Sequence, residues 1–156
     1  NQAWVTQENV RTVGLCGNNI VQAAPPQRGA PISVAGSTLE DLLADGTTVW
    51  QAESGPDIMT GDCSSPQLAI CSHPSAITKN ADGSILWRGQ EPVPFALANT
   101  GPNTWYYEGR NFQNNGRAIL ELVMISTESY SLTYTTIYDS DPQCNHTFYY
   151  TGTPRY

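Results

Sequence analysis

The sequence predicts an all-β fold: an antiparallel β-sandwich of jelly-roll type, with a closed β-barrel as the alternative. Three observations carry that prediction. Apolar and polar residues alternate with period two through residues 130–138 and 144–151. Clusters of Gly, Pro, Asn and Asp punctuate the chain at short intervals. Only 13% of residues are charged, whereas Thr, Ser, Asn, Gln and Gly are plentiful, a composition suited to an extracellular β-protein. The sandwich takes precedence because the strand segments vary in length and prolines fall where sheet edges would lie. A chain of 156 residues forms one domain, 1–156, large enough for a core.

Taken in order, residues 1–21 offer two short β-like runs separated by Gly17-Asn18-Asn19. Residues 23–31 hold Pro25, Pro26 and Pro31 and form an irregular connection. Ser37 with Glu40 makes a capping box, and Leu39, Leu42 and Leu43 form one stripe, so a short helix is expected over 38–45. A strand follows at 47–51. Residues 53–74 are the least regular stretch. Turn residues at 80–83 lead into a strand at 84–88, and further strands are expected at 95–98 and 104–108.

The last third reads as three consecutive strands. Asn114-Asn115-Gly116 tolerates the positive φ of a tight hairpin before the run 118–125. That run is apolar at nearly every position, which predicts a strand covered on both faces. Tyr130, Leu132, Tyr134, Thr136 and Tyr138 then share one face of the next strand. In the third, Cys144, His146, Phe148 and Tyr150 share the buried face, because Asn145-His146-Thr147 is an N-glycosylation acceptor whose glycan must reach water.

Four cysteines allow three pairings. The short spacing and intervening Pro66 favour Cys63–Cys71 as a loop staple, leaving Cys16–Cys144 to join the first and last strands. Without a Cys-x2-Cys pair, and with only two histidines, disulfides outrank a zinc site. Disulfides place the chain in a secreted, oxidising setting. A formal charge of −7 and the absence of a basic cluster argue against nucleic acid and anionic membranes. No run of 18 apolar residues is present to span a membrane.

Chemistry has few anchors. Trp50, Trp105 and Tyr107 are candidate platforms for sugar rings, with Asp57 supplying hydrogen bonds to hydroxyls. Trp105, after a Gly-Pro-Asn turn, leads that set, which also takes in Trp87 and Tyr106; burial in the core is the commoner fate of such residues. Asp139 with Asp141, and Asp57 with Asp62, offer oxygen ligands for Ca²⁺, although neither forms a calcium-loop series and capping of turns is the commoner role. No other cofactor is expected. His73 and His146 are the only imidazoles for proton transfer, and no nucleophile elbow, Walker loop or zincin motif accompanies them.

The expectation is therefore a secreted, disulfide-bonded, glycosylated β-domain that binds an extracellular glycan or protein, or self-associates through its N-terminal arm as a structural subunit. The alternatives are a small secreted polysaccharide hydrolase using His73 or His146, and a barrel that carries an apolar ligand.

Overall fold

A computed structural model describes residues 41–68, 72–90, 93–111 and 115–155. It is all-β and antiparallel, with nine strands: β1 (Gly46–Ser54), β2 (Ile58–Gly61), β3 (His73–Lys79), β4 (Ile85–Arg88), β5 (Phe95–Gly101), β6 (Thr104–Asn111), β7 (Gly116–Ser126), β8 (Ser129–Tyr138) and β9 (Cys144–Pro154). The sandwich expectation is corrected. The sheet runs β1-β3-β4-β5-β6-β7-β8-β9 and returns to β1, an eight-stranded closed barrel, with β2 added along β9. Closure rests on β1, which pairs with β3 on one side (Trp50↔Ser75) and with β9 on the other (Trp50↔Pro154).

The alternation along each strand decides what fills the barrel. Cys144, His146, Phe148 and Tyr150 are buried as expected, and so are Tyr130, Leu132, Tyr134 and Thr136. Of these, Tyr130, Leu132, Tyr134, Phe148 and Tyr150 meet Trp50, Ile77, Ile85, Trp87, Phe95, Leu97 and Trp105 in one contiguous core. Eight strands enclose a space that side chains can fill. Here rings fill much of it, with Trp50 edge-on to Tyr130 at 5.3 Å and Trp87 6.1 Å from Tyr150.

Tight turns close one end. Asn103 (φ 53°) sits in the two-residue turn of β5–β6, and Gly83 (φ 85°) sits in the β3–β4 connection. Asn115 (φ 45°) stands just before β7, in the left-handed conformation that its hairpin was expected to need.

Three expectations are corrected here. Strand β7 is not covered on both faces: Ala118, Leu120, Leu122 and Met124 point inward, while Ile119 and Val123 are half-buried and Ile125 is 61% exposed. No helix occupies 41–45; Asp41 accepts the Leu43 amide and pairs with Lys79 instead, and the start of the expected helix lies outside the described residues. Strands β2 and β3 arise within or beside the stretch read as irregular. β3 tolerates Pro74 because the β4 ladder begins only at Ala76↔Arg88, so Pro74 has a strand on one side alone. The expected strands of residues 1–21 lie outside the described residues.

Candidate functional site

A polar cluster occupies the barrel end where β1 stops and β9 begins. Its origin is an irregularity between β1 and β2. Ser54 faces Tyr150 and Ile58 faces Thr147, so residues 55–57 stand opposite the two residues 148 and 149. One extra residue is a β-bulge, and it reverses the side-chain parity. Trp50 and Ala52 set even-numbered residues inward; beyond the bulge Asp57 is buried and Ile58 is 42% exposed. Gly55-Pro56 thus turns a carboxylate into the barrel wall.

Asp57 meets His146 there, and both side chains are 0% exposed. The His146 Nδ1–H donates to Asp57 Oδ2, which also accepts the Leu68 amide at 3.2 Å. Backbone bonds hold the carboxylate in place: the Asp57 amide donates to Leu68 O at 3.1 Å and Gln67 Nε2 to Asp57 O at 2.6 Å. On its other side His146 Nε2 lies 3.5 Å from Cys144 Sγ, and the Tyr138 ring stands edge-on at 5.3 Å. Asp57 Oδ1 and Thr136 Oγ1 are buried with no hydrogen-bond partner among the described residues. Thr136 is the cross-strand neighbour of His146. A carboxylate this deeply buried is stabilised by a compensating cation, and the imidazole at Oδ2 supplies one when protonated.

Cys144 is bonded to Cys63 across a sequence separation of 81 residues. This corrects both expected pairings, Cys63–Cys71 and Cys16–Cys144; Cys16 and Cys71 themselves lie outside the described residues. The reason is topological: β2 lies on β9 with Gly61 opposite Cys144, which delivers Cys63 to that strand rather than back along its own loop. Asp141 fastens the same loop, accepting the Ser64 amide (3.1 Å), the Ser65 amide (2.9 Å) and the Ser65 hydroxyl (2.7 Å). The Ser65 hydroxyl, then the amides, hold the Asp141 carboxyl below its ordinary range. Asp141 therefore serves as a loop fastener, with its Oδ2 spent on three donors.

Of the candidate catalytic and ligand-binding residues, the structure joins Asp57 with His146 and leaves the others apart. His73, 4% exposed, packs edge-on against Trp87 and Tyr150 and lies near its own Pro74 carbonyl. Trp50 and Trp105 are each 2% exposed and point into the barrel, where their N–H groups donate to Thr48 Oγ1 and Gly83 O. Tyr107 is partly buried and donates to Arg110 O. Asn145 stands on the outer face of β9, its amide 3.5 Å from Thr60 Oγ1.

What the sequence reading did not single out is Tyr149. It shares one outer row with Tyr106: Tyr106↔Glu121, Glu121↔Thr133 and Thr133↔Tyr149 link four strands side by side. All four side chains are half-exposed. The usable signal was Glu108. A charged residue two places after Tyr106 fixes that face as the wet one, and the Tyr106 hydroxyl donates to Glu108 Oε2 at 2.6 Å. At the opposite end of the barrel a shallow cleft of about 430 Å³ lies among Asp41, Lys79, Asn99, Asn103 and Trp105. Its one cation is already engaged: Lys79 is paired with Asp41 and Asp45, and its hydrogen bond with Asp41 raises the lysine and lowers the carboxyl.

No protein-family model, no curated protein and no solved structure matches this chain.

Proposed function

We propose that this is a secreted binding module that recognises carbohydrate on the outer face of β6–β9, through the row Tyr106, Glu121, Thr133 and Tyr149. The observation that carries the reading is the row itself. Two half-exposed aromatic rings flank a carboxylate and a hydroxyl on adjacent strands. Three strand spacings separate the tyrosines by about 14 Å, a span suited to an oligosaccharide rather than one sugar. Sugar C–H faces stack on such rings, and the polar pair between them offers bonds to hydroxyls. A net charge of −7 suits a neutral ligand better than an anionic one.

The other readings have less support. A hydrolase needs substrate to reach its acid and base, yet His146 and Asp57 are sealed and His73 is 4% exposed. A carrier needs a cavity, whereas the barrel's own rings occupy its interior. The arm invoked for self-association lies outside the described residues.

Calorimetry against neutral oligosaccharides of two to six units tests the proposal. Tyr106→Ala and Tyr149→Ala are each expected to weaken binding about 3- to 10-fold, the loss of an aromatic contact worth roughly 0.5–1.5 kcal/mol. Thr153→Ala, on the exposed face of β9 away from the row, should bind as the parent does. Absence of saccharide binding, or parental affinity in both tyrosine variants, would overturn it.

A further inference from the structure

The Asp57–His146 pair adjoins the disulfide, and that juxtaposition has a chemical consequence. His146 presents Nδ1 to a carboxylate oxygen and Nε2 to Cys144 Sγ at 3.5 Å. A disulfide sulfur carries no proton, so it can only accept. Imidazole protonated on both nitrogens satisfies both partners, and Asp57 balances its charge. When protonated, the ring places a cation against the sulfur that becomes a thiolate when the bond opens. The two sulfurs are unequal: Cys144 is 0% exposed, whereas Cys63 is half-exposed and open to attack.

We propose that Cys63–Cys144 is a thiol-exchange centre in which an external dithiol reductant attacks Cys63 and the Asp57-held His146 receives the departing Cys144 sulfur. In the first step the reductant's thiolate bonds to Cys63 Sγ. The Cys63–Cys144 bond breaks, and its electron pair leaves on Cys144 Sγ. The Nε2–H of protonated His146 stabilises that sulfur, leaving a Cys144 thiolate paired with the imidazolium, which stays bonded through Nδ1–H to Asp57. In the second step the reductant's other thiolate attacks the mixed disulfide on the reductant sulfur. Cys63 is released as a thiolate and the reductant departs as its own disulfide. Two electrons pass from the dithiol to the protein. A leaving thiolate beside a cation leaves faster, which is the kinetic advantage the pair supplies.

The fold does not depend on the bond for its local order. The β2–β9 ladder, the Asp62 amide on Gln143 O at 3.1 Å, the three donors on Asp141 and the Asp57–Leu68 bonds all hold the loop independently. Opening the disulfide therefore leaves the strand pairing intact, as a reusable exchange site requires.

The full chain is titrated with dithiothreitol under native conditions, followed by acid quench, thiol alkylation and peptide mass spectrometry that reads each cysteine separately. The expected result is opening of Cys63–Cys144 with the sheet signal in circular dichroism retained, the first mixed adduct on Cys63, and opening about tenfold or more slower in His146→Gln. Asp57→Asn, which keeps the side-chain shape, should slow it in the same direction. In the reduced parent protein, thiolate absorbance near 240 nm should persist below the ordinary cysteine range, about 8.5, and vanish in both variants. Opening only upon unfolding, a first adduct on Cys144, or parental rates in both variants would each overturn the proposal. Should neither variant fold, the adduct position and thiolate absorbance of the parent decide alone.

Discussion

Tyr130 shows how closely single residues are fitted inside the barrel. Its hydroxyl lies 2.9 Å from Ser75 Oγ and accepts the Trp87 indole N–H at 3.4 Å, while its ring rests edge-on to Trp50. The ring also covers Gly152, where an added Cβ would stand 1.9 Å from Tyr130 Cε1. The glycine is needed for space, since hydrogen bonds on two sides prevent the tyrosine from giving way. Gly152→Ala is expected to destabilise the protein by roughly 1–3 kcal/mol, the usual cost of overpacking a core, read from the midpoint of urea unfolding. Unchanged stability would mean that the ring can move. The sequence alternation already put Tyr130 on the buried face, because its strand neighbours were Ser and Thr. It did not do so for Trp105: in Trp105-Tyr106-Tyr107 successive aromatics hide the parity, and the deciding residue is Glu108. Asp57 was legible as a polar candidate but not as a buried one, because its inward aim depends on one extra residue between β1 and β2.

Among the elements, the loop from Asp62 to Leu68 is held by side chains more than by a ladder. Asp141 receives Ser64 and Ser65, and its carboxyl is held low by the Ser65 hydroxyl and these amides. Folding therefore favours the ionised form. That contribution is fully present above the unfolded carboxyl value, about 3.9, and is lost as pH falls through the lower folded value. Asp141→Ala should strip hydrogen-exchange protection from the Ser64 and Ser65 amides at neutral pH, while amides of the β7–β8 ladder exchange as before. Parental protection at 64 and 65 would show that the disulfide alone holds the loop. Hairpins whose turns carry Gly, Pro and Asn were legible, as β5–β6 shows with Pro102-Asn103. Strand β3 was not, because Pro74 near its start resembles a break and its tolerance depends on a neighbouring strand that begins two residues later. Disulfide pairing failed for a related reason: proximity along the chain suggested Cys71 for Cys63, but register on β9 put Cys144 there.

For the whole molecule, closure is the property that local pattern could not supply. Sandwich and barrel strands carry the same alternation, and what separates them here is β1 meeting β9 a hundred residues away, at pairs such as Ala52↔Gly152. Closure also makes the barrel answer to base as a unit. Tyr130 is one of eight tyrosines, and burial raises its phenol above the ordinary value of 10.0, with the Ser75 and Trp87 hydrogen bonds opposing in part. A raised value means that folding favours the neutral phenol. Its contribution is complete below the unfolded value, about 10, and is lost as pH rises toward the folded one. Because the ring is 0% exposed, hydroxide reaches it only when the barrel opens. Absorbance at 295 nm and far-ultraviolet circular dichroism, followed together above pH 10, therefore separate phenols that ionise in the intact sheet from the one that waits for it to open. The last phenolate should then appear together with loss of the sheet signal. Reversible ionisation of all the tyrosines in an intact barrel would show instead that solvent enters the lumen, and would reopen the interior as a place where a ligand can sit.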